Sequence, residues 1–410
     1  MNEQPRLHTL PAIHPEDVGL TAAGLDRLSA VMQREVDTRH VPGVSMLIAR
    51  GGKAGYRRDF GALRPGGPPL PGNAIFRIYS MTKPIVTVAL LMLVEEGRLF
   101  LADPITKFVP QLTDLKVGVE SNGKLELVAA KKAITIQDLL RHTSGLTYAF
   151  TGNSAVQRRY GEANLFTGDP ANSDRFLSRD LTTAEFIAEL AKLPLIAQPG
   201  DSWDYSHSTD VIGRVVEVVS GQSLGAFLDE RIFKPLGMSD TAFFVPAEKY
   251  ERLAEPFSAD PDGGPPVQLI EMRTAPRFES GGGGLFSTMD DYARFAQMLY
   301  QGGIFGGTRM LSRKTLEWMT SDHLGPNVRI GTPSLLQPGH TFGLGFAVRR
   351  EAGMGQTPGT PGEFFWGGVA GTYFWVAPKE ELFALMMVQA PRQRDHFRQL
   401  FRTLVYAALA

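Results

Sequence analysis

The sequence predicts an α/β protein of the α+β kind: one antiparallel sheet assembled from both ends of the chain, flanked by helices, with a mainly helical segment inserted between. Three observations predict it. Residues 43–50 are rich in apolar and β-branched residues, and Gly51-Gly52 turns them into 54–61, the pattern of a hairpin. Residues 341–349, 372–377 and 381–389 are again strand-like, the last two turning at Pro378-Lys379-Glu380. Between these ends the apolar residues recur at helical rather than alternating spacing. The expected division is 1–100 with 290–410 as the sheet-bearing unit and 101–289 as the insert, with a ligand cleft between them.

The elements follow in order. Residues 21–34 read as a surface helix and 65–71 as a loop. A helix starts at Ser80 and stops at Gly97. Residues 134–141 form a short helix, and His142-Thr143-Ser144-Gly145 a turn. Residues 148–180 show no clear period, and a loop that long in a compact protein usually serves function. Helices are expected at 182–191, 209–219 and 224–233. After the glycine run 281–284, Ser287-Thr288-Met289-Asp290 reads as a capping box opening a helix to Tyr300. Residues 310–319 form a further helix, and 396–409 close the chain as an amphipathic one.

Composition narrows the chemistry. The 410 residues carry a net charge of −1, so neither nucleic acid nor an anionic membrane is an expected partner. There is no cysteine, which excludes disulfides, thiolate catalysis and cysteine-ligated metal. The eight histidines lack metal-ligand spacing. No cofactor and no metal are therefore expected. Residues 1–20 have no apolar core of a secretory leader, and a cytoplasmic location is the expectation. Oligomeric state is not legible.

Ser80-Met81-Thr82-Lys83 is the leading candidate for chemistry. Residues three apart share a helix face, so a hydroxyl is presented with an amine, one way to activate a serine nucleophile. Pro84 is tolerated only in a first helical turn. That places Ser80 at the helix N-terminus, where free N–H groups favour a developing anion. Lys83, against an apolar segment, is expected to be partly desolvated. The same pattern recurs at Ser121-Asn122-Gly123-Lys124, but Asn122-Gly123 there marks a hairpin turn. Tyr205, in Trp203-Asp204-Tyr205-Ser206-His207, follows Pro199-Gly200 on an expected loop. A phenol beside an ammonium gives up its proton more readily, and Tyr205 could relay the proton of Ser80 to a leaving alcohol. In Trp366-Gly367-Gly368-Val369, the glycines permit a close approach of backbone to ligand, and the N–H of Val369 with that of Ser80 could form an oxyanion hole.

Together these pieces resemble the serine β-lactamase and penicillin-binding-protein superfamily, and most closely its class C β-lactamases and family VIII carboxylesterases. The resemblance rests on Tyr-Ser-Met-Thr-Lys-Pro ending at Pro84, Leu-Leu-Arg-His-Thr-Ser-Gly-Leu ending at Leu146, and Pro199-Gly200 before Tyr205. Pro-Leu-Gly-Met ending at Met238, Gly-Gly-Gly-Leu-Phe-Ser-Thr ending at Thr288, and Trp366-Gly367-Gly368 complete it. It implies a β-lactamase-like fold, an acyl-enzyme on Ser80, and Lys83 with Tyr205 as the acid/base pair. Two departures bear on substrate. Where β-lactamases carry Lys-Thr-Gly, Trp366 offers an apolar face, which suits a neutral ester. Where they carry Tyr-x-Asn, this chain has His207, which could contact substrate or Lys83, and the family's role for that position does not carry over to it. Trp366, Gly367, Gly368 and His207 are thus the expected substrate-binding residues.

The resulting expectation is a serine carboxylesterase for short-chain or modestly bulky esters. The alternatives are a β-lactamase or D-peptidase-like hydrolase, an acyltransferase using the same site, or an inactive penicillin-recognising binding protein. Two look-alikes are set aside. Gly221-Gln222-Ser223-Leu224-Gly225 joins two helices and lacks the strand that a nucleophile elbow requires. His142 is read as a turn histidine.

Overall fold

The computed structural model describes residues 10–121, 123–163, 165, 181–263, 267–271 and 273–410. Its centre is a seven-stranded sheet, antiparallel throughout. The strands are β1 (Gly43–Arg50), β2 (Lys53–Gly61), β3 (His340–Phe342), β4 (Ala347–Arg349), β5 (Phe364–Gly367), β6 (Gly371–Ala377) and β7 (Leu382–Gln389). Their order is β3-β4-β5-β6-β7-β1-β2, so the two ends of the chain meet where β7 pairs with β1, Val44 opposite Val388. This is the expected antiparallel sheet drawn from both chain ends.

Alternation along β1 sorts side chains to two faces. Val44, Met46 and Ile48 pack with the helices α1 (Ala22–Asp37) and α5 (Arg394–Tyr406), while Leu47 and Ala49 belong to the larger core on the opposite face. That core contains α2 (Thr82–Glu95), buried from Thr82 to Leu93, with α3 (Ser208–Ser220) against it and α4 (Met289–Tyr300) covering the sheet. A helix that is apolar all round belongs in an interior, and α2 sits there.

The structure departs from the sequence reading in four places. The stretch 341–349 is two strands, β3 and β4, because Gly343 and Gly345 (φ 79°) turn the chain between them. Trp366 lies within a further strand, β5, which the sequence reading does not include. The cap of α4 is Thr288, whose hydroxyl accepts the Asp291 N–H, one residue later than expected. The aperiodic stretch holds a helix at Ala155–Glu162, opened by a Ser154–Gln157 capping box; 164 and 166–180 of that stretch lie outside the described residues. The second Ser-x-x-Lys spans the turn of a hairpin, Lys116–Ser121 with Lys124–Ala129, its Ser121 paired opposite Lys124. Among the described residues no single helix is long and apolar enough to cross a membrane.

Candidate active site

Strand Ile75–Arg77 pairs with Phe286–Thr288, and this short ribbon carries two segments to one place. One is the turn Tyr79–Met81, which leads into α2 and presents Ser80. The other is the glycine run before Leu285. Tyr79 has φ 43°, a left-handed conformation costly for a bulky residue. It is held by burial and by the Ile270 N–H, which donates to its hydroxyl at 2.9 Å. Such strain immediately before a candidate nucleophile turns Ser80 out of the core toward the cleft.

Lys83, one turn on, is buried at 1 % exposure. Its Nζ donates to Ser80 Oγ at 3.3 Å, to Tyr148 Oη at 3.3 Å and to the Gly282 carbonyl at 2.6 Å. Three acceptors match the three N–H bonds of an ammonium. Tyr205 is reached differently: Nζ sits 4.5 Å from the centroid of its ring, a cation–π contact. The Tyr205 hydroxyl accepts from Trp366 Nε1 at 3.3 Å. The loop bearing Tyr205 is fixed by strand Ser202–Trp203 against Arg329–Ile330, and by the Tyr205 N–H on Thr332 Oγ1 at 3.3 Å.

Behind Lys83 lies a second layer that sequence reasoning missed. Asp210, fully buried, accepts from Ser280 Oγ at 2.6 Å and from the Gly282 N–H at 2.9 Å, and its Oδ2 lies 3.1 Å from His207 Nδ1. Burial opposes its charge, but hydrogen bonds from His207 and Ser280 and the nearby Lys83 hold the carboxyl below its usual range. Burial likewise pushes the His207 imidazole below its ordinary value, only partly offset by Asp210. Neutral His207 therefore donates to the Asp210 carboxylate, and Asp210 orients Gly282, whose carbonyl receives Lys83. A side chain at 282 would meet the Asp210 carboxylate at 2.8 Å and Tyr148 Oη at 2.9 Å, which is why the run is glycine here. Burial pushes the Tyr148 phenol well above its ordinary value, with Asp210 adding to the effect, so Tyr148 stays a hydroxyl.

A cleft of about 350 Å³ opens above Ser80. Tyr205, Trp366, Gly367 and Val369 line it with Ser80, and Phe150, Leu335 and His340 extend its walls. The structure thus brings Ser80, Lys83, Tyr205, Trp366, Gly367 and Val369 to one place. Two expected substrate residues stand elsewhere. His207, 1 % exposed, lies behind Tyr148 at 4.4 Å between ring centroids, and its Nδ1 is committed to Asp210. Its position at the buried start of α3 turns it away from the cleft. Gly368 packs on the backbone rather than lining the cleft: a Cβ there would lie 2.4 Å from the Ile78 carbonyl.

The set-aside residues have structural places. Ser223 is exposed and caps Leu224–Leu228. His142 is buried against the Tyr205 ring at 4.9 Å, with Nδ1 3.1 Å from Ser206 Oγ. Desolvation, with Lys83 nearby, holds its imidazole well below the ordinary value. Tyr148 and Asp210 could have been found from sequence: the first ends the turn after Thr143-Ser144-Gly145, and the second lies three residues from His207 on one helix face.

Comparison with known proteins shows what the chain is similar to. The chain is 36% identical over 338 residues to a protein of Mycobacterium tuberculosis, covering 79% of each. It is 33% identical over 392 residues to Esterase EstB of Burkholderia gladioli, covering 90% of this chain and 91% of that protein. Among solved structures it is similar to EstCE1, described as a hydrolase with promiscuous acyltransferase activity, with a TM-score of 0.77 and 25% identity over 94% of this chain and 98% of that one. The profile of the family described as Beta-lactamase matches residues 28–408, nearly the whole chain, and the protein belongs to that family.

Proposed function

We propose that this serine hydrolase is a carboxylesterase, cleaving short-chain or modestly bulky carboxylic esters through an acyl-enzyme on Ser80. The observation that carries the reading is Ser80 Oγ at 3.3 Å from buried Lys83 Nζ, at the floor of a cleft walled by the indole of Trp366. Tyr205, as a phenolate beside the Lys83 ammonium, takes the Ser80 proton as Oγ bonds to the ester carbonyl carbon. The carbonyl oxygen becomes an oxyanion, received by the N–H groups of Ser80 and Val369. The C–O bond to the leaving alcohol breaks, and that oxygen takes the proton back from Tyr205. Water then attacks the acyl-enzyme by the same path, releasing the acid and restoring Ser80. An alcohol in place of that water would give acyl transfer, and the likeness to EstCE1 supports this second outcome.

The apolar face of Trp366 favours a neutral ester over an anionic lactam. The test is a series of p-nitrophenyl esters of increasing acyl length beside nitrocefin, for the native chain and Ser80→Ala. Hydrolysis of the acetate and butyrate, lost in Ser80→Ala, with slow turnover of nitrocefin, is expected. Nitrocefin turned over faster than every ester, or ester turnover surviving in Ser80→Ala, overturns the reading.

A further inference from the structure

The turn after β5 is clamped from two sides, and its two glycines show how. A Cβ on Gly367 would lie 2.7 Å from Nη2 and 2.8 Å from Cζ of Arg398, so the missing side chain is the space the guanidinium occupies. A Cβ on Gly368 would lie 2.4 Å from the carbonyl oxygen of Ile78, two residues before Ser80. Arg398, on α5, donates from Nη2 to the Gly368 carbonyl. That carbonyl also accepts the Gly371 N–H at 3.0 Å. The guanidinium lies 5.7 Å from the Tyr373 ring centroid, and Nη1 is 3.6 Å from the Asp395 carboxylate.

The Gly368 carbonyl and the Val369 N–H belong to one peptide, and in a trans peptide they point in opposite directions. Holding the carbonyl on Arg398 turns the N–H away from the guanidinium, and Arg398 and Val369 both line the cleft with Ser80. A cation on the carbonyl also polarises the peptide and strengthens its N–H as a donor. We infer that Arg398 is a positioning residue for the oxyanion hole: it fixes and polarises the Gly368–Val369 peptide so that the Val369 N–H meets the developing oxyanion. This rests on the reading above that Val369 supplies one of the two donors.

The test uses p-nitrophenyl butyrate, a neutral ester with no group for a guanidinium to bind. Arg398→Met, which keeps the apolar stem and drops the donors, is expected to lower kcat about tenfold or more while KM stays within about threefold, since donors aimed at the oxyanion act in the transition state. Arg398→Lys recovers part of the loss. Gly367→Ala, which displaces the guanidinium, reproduces it. Val369→Pro removes the N–H itself and is expected to cost about a hundredfold. In that background Arg398→Met should cost less than about threefold, because the two changes act through one bond. Melting temperature and active-site labelling with a fluorophosphonate confirm that each variant is folded; if Val369→Pro is not, the kcat against KM split in Arg398→Met and its rescue by lysine decide the matter. Unchanged kcat in Arg398→Met, a loss confined to KM, or equal losses in both backgrounds overturns the inference and leaves the oxyanion-hole reading intact. Unimpaired hydrolysis by folded Val369→Pro overturns the oxyanion-hole reading, and this inference with it.

Discussion

Lys83 is the side chain on which the site converges, and its partners decide what substitutions there should do. The direct hydrogen bond from Nζ to a phenol goes to Tyr148, while Tyr205 offers its ring face. Lys83→Ala and Tyr205→Phe are each expected to lower kcat on p-nitrophenyl esters about a hundredfold or more, the scale of lost acid/base groups. Tyr148→Phe removes a hydroxyl that orients Lys83 and should cost about tenfold in kcat with little change in KM; steady-state kinetics on the three variants checks the ranking. Sequence reading reached Ser80, Lys83 and Tyr205 because each stands in a local pattern. It missed Asp210 because a lone acid on an amphipathic helix looks solvated until packing buries it against Ser280 and Gly282. It misplaced His207 because a polar residue beside Tyr205 looks exposed, whereas the first turn of α3 faces inward.

At the scale of elements, short turns align long ones. The turn after β5 is joined to the approach to Ser80 through Gly368, and a methyl there would press on backbone that has no room to yield. Gly368→Ala is expected to lower kcat by about a hundredfold, the cost of displacing reacting groups by roughly an ångström, and to lower the melting temperature; stopped-flow acylation and calorimetry measure the two. The contrast is Ser223, whose Gly-x-Ser-x-Gly setting imitates a nucleophile. As a helix cap, its loss in Ser223→Ala should cost about 1 kcal/mol of stability and leave ester hydrolysis unchanged. The element boundaries that the sequence blurred are those set by glycine conformation and short caps: the break between β3 and β4 at Gly343 and Gly345, and the helix Ala155–Glu162 behind Ser154.

For the whole molecule, buried charge makes stability depend on pH. Asp291, in the first turn of α4, accepts from the Asp240 N–H at 2.7 Å, Thr241 Oγ1 at 3.0 Å and Arg294 Nη1 at 2.9 Å. Burial nevertheless pushes its carboxyl up from 3.8 to about 6. A carboxyl raised in this way binds its proton more tightly folded than unfolded. Its contribution is therefore fully present below about pH 4 and is lost as pH rises through about 6. Melting temperatures of the native chain and Asp291→Asn between pH 4 and 7.5 test this: the native chain should lose stability relative to the variant as pH rises across that window. A gap that stays constant would place the titration elsewhere.

The sequence by itself determined strands β1, β2, β6 and β7, the core helices α2, α3 and α4, the sheet drawn from both chain ends and the candidate nucleophile with its amine. These follow from local periodicity, turn chemistry and helix spacing, which act over a few residues. Tertiary structure decided what surrounds them: Tyr148 rather than Tyr205 on Lys83 Nζ, Asp210 behind Gly282, and Arg398 reaching across from α5 to the Gly368 carbonyl. Those contacts join residues tens to hundreds of positions apart, and only the packing of α2, α3 and α5 around one cleft brings them within bonding distance.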